Sequence, residues 1–316
     1  MKIKILDTAS LGEDTPIEIL SRFGELETYT HTDESVIYDR VADADVIVLN
    51  KVKITDKVFE AAKNLKLVCV FATGYDNIDL VSARKHGVGV CNVPGYSTDS
   101  VALYTVATVL SLVTHLDEYR GFVKNGEYSA SGAPNRLIPV YHELSGKTWG
   151  IVGYGNIGKA VAKVADALGA RVIVNKRTPI KERECVDIDT LCKESDVITL
   201  HCPLNDETRK IINSDRLSLM KKNVILVNEA RGAVLDEEAV TEAVLSGKIA
   251  GFGCDVYSVE PFGDSHPYNR IKDEKNVVLT PHAAWGAYES RVRCINIIAD
   301  NISNFVDGKI LNRVDI

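Results

Sequence analysis

The chain has 316 residues, 45% apolar and 26% charged, with a net charge of −7. That is the composition of a globular protein long enough for two domains, each with its own core. The acidic balance and the lack of any Lys/Arg-rich run exclude nucleic acid as the main partner. No apolar run reaches the roughly eighteen residues a membrane span needs, so no membrane partner is expected. The opening Met1-Lys-Ile-Lys-Ile-Leu6 reads directly as a strand and not as a leader. The seven cysteines are odd in number, scattered and without a C-x-x-C pair. They read as reduced core residues, which predicts a cytoplasmic location.

Strands and helices alternate through the first hundred residues. The pattern predicts strands over 2–6, 45–49, 67–71 and 88–91, and helices over 16–23, 56–62 and 80–86, with Thr55 placed to cap the second helix. Such alternation means a parallel sheet. A loop follows at 92–96. Residues 97–100 can cap a long helix over about 101–116 that is apolar almost all round. One stripe covers its own domain, and the rest predicts a homodimer contact or, alternatively, a helix sandwiched between the two domains. Residues 117–147 read as a polar, irregular arm.

Residues 149–152 then form a short buried strand that runs into Gly153-x-Gly155-x-x-Gly158 and a helix over 159–168, and a second strand covers 170–174. Alone, the glycine pattern could be a turn without a ligand. Within a βαβ unit of about thirty residues it is a dinucleotide fingerprint. Gly153 permits the tight turn, Gly155 lets a pyrophosphate approach the backbone, and Gly158 lets helix and strand pack closely. The free N–H groups of the helix N-terminus, with the positive end of its dipole, face the phosphates. Further strands are predicted over 197–200, 224–227, 251–256 and 277–280, a helix over 237–245, and a last amphipathic helix over 290–305. That last helix can return the chain to the first domain. The expected fold is α/β, with two doubly wound parallel-sheet domains and a cleft between them. A Rossmann cofactor domain spans 98–289, and a discontinuous, flavodoxin-like substrate domain takes 1–97 with 290–316.

An NAD-preferring fold usually ends its second strand in a carboxylate that binds the ribose hydroxyls, about twenty residues after the turn. Here Asn175, Lys176 and Arg177 stand there instead. Cations attract a 2′-phosphate, which predicts NADP(H) over NAD(H). The other reading makes Lys176 and Arg177 solvated charges, with NAD held through the ribose hydroxyls and Asn175.

Three later segments carry reactive groups just after predicted strands: Arg231 in 227–232, Asp255 and Glu260 in 255–261, and His282 in 279–282. Ligands gather at such strand ends. Each residue alone has an ordinary explanation, as a surface ion pair, a solvated acid or a core histidine. Together, a guanidinium, a carboxylate and an imidazole can converge on one cleft.

These segments make the chain resemble the D-isomer-specific 2-hydroxyacid dehydrogenases from end to end. The resemblance rests on Phe71-Ala-Thr-Gly-Tyr-Asp-Asn-Ile-Asp79, Asn92-Val-Pro-Gly95, the glycine turn, His201-Cys-Pro-Leu204, Asn228-Glu-Ala-Arg-Gly232, 255–261 and Thr280-Pro-His282. Asn50-Lys51 and His282-Ala-Ala-Trp285 are most similar to the glycerate dehydrogenase/hydroxypyruvate reductase branch.

The resemblance implies reduction of a small 2-oxo acid, such as hydroxypyruvate or glyoxylate, to the D-2-hydroxy acid, reversibly, with no metal. Arg231 would grip the substrate carboxylate. His282 would move the proton, and Glu260 would hold its far nitrogen and favour the imidazolium. Thr73, Gly74 and Lys51 would bind substrate. Thr73, Asn156, Ile157, Cys202, Pro203, Glu229, Ala230, Arg231, Asp255, His282 and Trp285 would lie near the cofactor, Asp255 toward the nicotinamide amide.

Three departures stand out. Glu229 replaces a small residue, Leu103-Tyr104 replaces a Glu-His pair, and Lys176-Arg177 conflicts with the branch's usual NADH. Competing readings are a 3-phosphoglycerate or D-lactate-type dehydrogenase and, from another class, a dinucleotide-sensing corepressor-like binding protein.

Overall fold

The computed structural model describes all 316 residues and divides them into two compact units, Met1–Ser97 with Gly286–Ile316, and Thr98–Trp285.

The first unit is built on five parallel strands, β1 (Lys2–Ile5), β2 (Glu25–Thr28), β3 (Val46–Leu49), β4 (Leu67–Val70) and β5 (Gly89–Cys91). Their order is β2-β1-β3-β4-β5, the flavodoxin-like winding. β3 and β4 read Val-Ile-Val-Leu and Leu-Val-Cys-Val without alternation because both faces are covered. Helices α1 (Ile37–Val41), α2 (Asp56–Ala61) and α3 (Leu80–Lys85) give Ile37, Val58, Phe59 and Ala83 to this core. The chain's last helix, Tyr288–Val306, packs against β4. It starts earlier than the predicted 290, and the unit boundary falls at Gly286.

Two local expectations fail here. β2 was not predicted at all: it is a mostly exposed edge strand, so it carries no apolar pattern. Thr55 occupies the cap position of α2 but makes no capping hydrogen bond. Asp79 does cap α3, its Oδ1 accepting from Ser82 N at 3.0 Å.

The second unit opens with α4 (Thr98–Thr114), α5 (Leu116–Lys124) and α6 (Glu127–Ser131). Its sheet follows in βα units: β6 (Thr148–Val152), α7 (Asn156–Ala167), β7 (Arg171–Asn175), β8 (Glu184–Cys185), α8 (Ile188–Glu194), β9 (Val197–Leu200), α9 (Ser214–Leu219), β10 (Ile225–Asn228), α10 (Glu237–Leu245), β11 (Gly251–Cys254) and β12 (Val277–Leu279). All seven strands are parallel, in the order β12-β11-β10-β9-β6-β7-β8. The winding reverses between β6 and β9, the place where open α/β sheets bind ligands.

Residues 98–100 do not cap α4; they form its first turn. Ser100 is buried, and its hydroxyl donates to Ala284 O at 2.6 Å. α4 buries Val101, Ala102, Thr105, Val106, Thr108, Val109 and Leu112, while Leu103 stays 71% exposed. The arm is not irregular throughout, since it contains α5 and α6; only 132–147 lacks regular structure.

The turn after β6 depends on close backbone approach. Gly153 sits at φ +92°, and a Cβ on Gly158 would lie 2.2 Å from Gly153 O. That oxygen is main chain and cannot swing away. Gly155 has φ −84° and open space where its Cβ would stand. Gly158→Ala is therefore expected to destabilise this unit by about 1–3 kcal/mol, and Gly155→Ala by under about 0.5 kcal/mol. Thermal or urea unfolding of the two variants checks the contrast, and equal losses would refute the packing argument.

Candidate active site

Three neighbouring strands, β10, β11 and β12, deliver the reactive groups at their carboxyl ends. After β10 the chain turns at once. The fully buried Asn228 donates from Nδ2 to Arg231 O at 2.9 Å and accepts from Ala230 N at 3.0 Å. This closes a tight loop with Arg231 at its tip, and the Arg231 guanidinium donates back to Ala230 O at 2.8 Å. Gly232 follows because nothing larger fits: a Cβ there would lie 2.0 Å from Tyr257 C. The chain leaving β10 thus runs directly against the chain leaving β11.

After β11 comes Asp255, 1% exposed. Its carboxylate accepts from Thr280 Oγ1 at 2.6 Å, Ala283 N at 2.8 Å and Ala284 N at 2.8 Å. Burial pushes Asp255 up, and those donors push it back down. The Tyr257 hydroxyl donates to Thr280 O at 2.7 Å, a second tie between the two segments. Between these anchors His282 takes a left-handed backbone, φ 54°, a region costly for a residue with a side chain.

His282 Nδ1 lies 2.7 Å from Glu260 Oε2, and Glu260 Oε1 accepts from Tyr257 N at 3.0 Å. The pair is about three-quarters buried, 23% and 28% exposed. With Nδ1 occupied by a carboxylate, the ring presents Nε2 for proton exchange. Arg231, Glu260 and His282 therefore stand in one unit, with the acid and imidazole in contact.

The glycine turn fits a dinucleotide. The space over Gly155 is open, and the twelve-residue α7 starts at Asn156 and Ile157, with its first N–H groups unspent. At the end of β7, Asn175 donates from Nδ2 to Val186 O at 3.0 Å, so its side chain braces the loop. Neither Lys176 nor Arg177 has a carboxylate within the 4.0 Å of an ion pair, whereas nearby Arg171 and Arg183 do.

Cys202 and Pro203 follow β9. The Cys202 N–H stands where a Gly153 Cβ would come within 2.6 Å, and burial pushes the Cys202 thiol up to about 11. Beside it, burial pushes His201 down to about 3, and neither ring nitrogen has a partner. Ala230 and Glu229 are buried, and Trp285 closes the unit.

Lys51, Thr73 and Gly74 belong to the other unit. There, buried Asp7 accepts from Asn50 N at 2.9 Å and Lys51 N at 2.6 Å. Asn77 Nδ2 donates to Val52 O at 2.7 Å. This clamps the loop from which Lys51 projects into a cavity of about 460 Å³ shared with Asp7, Ser10 and His31. Thr73 Oγ1 donates to Val93 O at 2.8 Å.

The family model for the NAD binding domain of D-isomer specific 2-hydroxyacid dehydrogenases matches residues 106–284, more than half of the chain. The chain belongs to this family. It is 36% identical to a hydroxypyruvate reductase of Blautia hydrogenotrophica, over 100% of both chains. It is 38% identical to a glyoxylate reductase of Thermococcus litoralis, over 98% of this chain and 96% of the other. It is 34% identical to a glycerate dehydrogenase of Methylorubrum extorquens, over 99% of each.

Among solved structures, the TT0316 protein of Thermus thermophilus superposes with a TM-score of 0.90 at 32% identity, covering 99% and 100% of the two chains. A D-lactate dehydrogenase of Aquifex aeolicus, complexed with NAD and lactic acid, gives 0.87 at 30%, covering 100% and 99%. An acyclic imino acid reductase complexed with NADPH and D-Arg gives 0.86 at 30%, covering 99% and 100%. These matches place the chain on the hydroxypyruvate reductase/glycerate dehydrogenase branch, with a nicotinamide cofactor.

One part of this dehydrogenase site was invisible in the sequence. Glu237, at the start of α10, accepts from Ser258 N at 2.9 Å and from the Ser258 hydroxyl. His266 Nε2 lies 3.2 Å from the same carboxylate, off the hydrogen-bond line, while its Nδ1 accepts from Tyr268 N at 3.2 Å. Glu237 thereby fastens both ends of the loop that carries Glu260. Its only sequence signal was its place beside the helix cap Asp236. Glu237→Ala is expected to cost about 1–3 kcal/mol, because Ser258 N loses a charged acceptor, and to lower turnover together with stability. Thermal unfolding and initial rates check it; unchanged values for both would show that the loop needs no such fastening.

Proposed function

We propose that this dehydrogenase reduces hydroxypyruvate or glyoxylate to the D-2-hydroxy acid, with NADP(H) preferred over NAD(H). The observation that carries the reading is the 2.7 Å contact of His282 with Glu260 in the unit that also holds Arg231. The names of the relatives supply the substrate class. When bound, the nicotinamide supplies the hydride that adds to C2 of the substrate.

Everything else falls to the chain's own groups. Arg231 grips the substrate carboxylate through its two-pronged fork and draws charge toward the carbonyl oxygen. His282 gives the Nε2 proton to that oxygen and later takes one from solvent. Glu260 holds Nδ1–H and balances the imidazolium charge. Backbone N–H groups near Thr73 and Gly74 give the carboxylate a second grip, and Lys51 and Trp285 shape the space for the substrate tail. Gly153, Gly155 and Gly158 would hold the pyrophosphate, and Asp255, the backbone of 229–231, Cys202 and Pro203 would hold the nicotinamide end.

Solved relatives carry NADPH in one case and NAD in another, so the preference for NADP(H) is supported by local charge alone. Lys176 and Arg177 stand unpaired by carboxylates at the end of β7, where a 2′-phosphate would lie, and Asn175 is committed to bracing the backbone. A homodimer is the assembly proposed. The arm leaves Leu137, Ile138, Val140 and Tyr141 at 75%, 70%, 66% and 54% exposed, more apolar surface than one short segment leaves in water without a partner. The seven free cysteines fit a reducing, cytoplasmic setting.

Initial rates of hydroxypyruvate and glyoxylate reduction, run in parallel with NADPH and NADH, test this reading. NADPH is expected to give the higher kcat/KM. Replacing Lys176 and Arg177 by Asp should cost NADPH roughly 10- to 100-fold, the worth of one or two charge-assisted bonds. A preference unmoved by those changes would sink the 2′-phosphate argument. Separately, His282→Ala should lower kcat roughly 100- to 10,000-fold while cofactor affinity changes little. Turnover that survives both His282→Ala and Arg231→Ala would remove the mechanism.

A further inference from the structure

Glu229 is a carboxyl group in an apolar place. It follows β10 directly and is 7% exposed. Two residues earlier, Val227 packs in the core shared with Val109 and Leu112 of α4, and Thr108 of the same helix lies beside Glu229. Neither carboxyl oxygen has a partner in full hydrogen-bond geometry, although the Thr108 hydroxyl on α4 is near enough to offset part of the burial. From the end of β11 it meets Asp255 and the buried Cys254 thiol. His282, from the segment after β12, acts on Asp255. No ammonium, guanidinium or imidazole pairs with Glu229. Asp255, with three donors on its oxygens, is built to hold a negative charge. Glu229, with none, is not. The two carboxyl groups therefore share one charge, and it rests on Asp255.

We propose that Glu229 acts as a positioning residue that senses the cofactor's redox state: it is the neutral acid beside the reduced, uncharged nicotinamide and releases its proton to solvent when the oxidised, positively charged ring binds. This rests on the reading that puts the nicotinamide beside Asp255. The exchange balances as one O–H bond broken and one proton delivered to bulk water, with no change of oxidation state. The positive ring lowers the cost of a second carboxylate, and by reciprocity an ionised Glu229 tightens the oxidised cofactor. Burial first, and Asp255 second, push Glu229 up to about 9, so at neutral pH the site favours the reduced cofactor by one withheld charge. The enzyme would thus be set for reduction, and for oxidation only in alkali.

Isothermal titration of the full chain at pH 8, in two buffers of different ionisation enthalpy, counts the protons. Wild type should release on the order of half a proton on binding NADP⁺ and almost none with NADPH. Glu229→Gln should release almost none with either. Both cofactors carry the same phosphates, so phosphate ionisation cancels in the comparison. In wild type alone, the affinity ratio of NADP⁺ to NADPH should rise roughly tenfold between pH 7 and pH 9. A flat ratio, or no difference in release between the two cofactors, overturns the proposal even if the Gln variant fails to fold. Undiminished release in Glu229→Gln assigns the proton elsewhere and also overturns it. An Asp255→Asn variant that binds both cofactors as tightly as wild type would instead defeat the placement of the nicotinamide.

The apoprotein gives an independent reading of the buried proton. The native carboxyl titrates near 9 and the unfolded one near its ordinary value of about 4.3. The native state therefore binds more protons between those values, and stability falls as pH rises through that window. The melting temperature of wild type should drop more steeply from pH 6 to pH 9 than that of Glu229→Gln. Parallel curves would mean that Glu229 is already ionised at neutral pH, which contradicts the proposal.

Discussion

The site hangs on the carboxylate of Asp255. A histidine at φ 54° is in a conformation its own side chain disfavours, a strain of about 1–3 kcal/mol. Nothing in the local sequence Thr-Pro-His-Ala-Ala supplies that energy. Asp255 does, by accepting from the N–H groups of the two residues that follow His282 and from the hydroxyl of Thr280 before it. The segment is thus gripped on both sides of the strained residue, and the imidazole is turned onto Glu260. The bonds work because Asp255 is buried, where water does not compete for its oxygens.

A second constraint is distance. Gly232 lets the chain leaving β10 run against Tyr257 and Ser258, closer than any side chain would allow. Tyr257 is spent three ways from that position: its N–H on Glu260, its hydroxyl on Thr280 O, and its ring against Phe262. The acid, the base and the arginine come from three separate strand ends, yet the chain segments that bear them are linked by main-chain contacts. That is how loops in an open α/β sheet hold side chains to the tolerance that proton transfer needs.

The sequence made visible whatever is written in neighbouring residues. The glycine turn was legible because strand, turn, helix and second strand follow in order, and the helix over 237–245 matches α10 residue for residue. Arg231, Glu260 and His282 were legible as types at strand ends, and the contact of Glu260 with His282 followed from the family resemblance, but the ties of Tyr257 and Asp255 that hold their segments were not legible. The edge strands β2 and β8 were not legible, because an exposed strand of four or two residues has no apolar period. Residues 97–100 looked like a cap because Ser, Thr and Asp are cap residues, yet 98–100 form the first turn of α4. In the fold Ser100 spends its hydroxyl on Ala284, 184 residues away. Glu237 and His266 were missed for the same reason, since their meaning lies in a partner distant along the chain.

Three carboxyl groups behind the strand ends show why residue type alone does not define a role. Glu260 keeps 28% of its side chain exposed, with one oxygen on a backbone N–H and the other on His282, so its charge is matched by the group it orients. Asp255 is buried deeper and meets only neutral donors, three of them, enough to keep a charge that then serves as a fixed anchor. Glu229 is buried with no donor in hydrogen-bond geometry and with Asp255 as its charged neighbour, so the same functional group there holds a proton. The count of donors around each carboxyl, set by where the backbone turns after β10, β11 and β12, sorts one chemical group into a partner for the base, a structural anchor and a proton store.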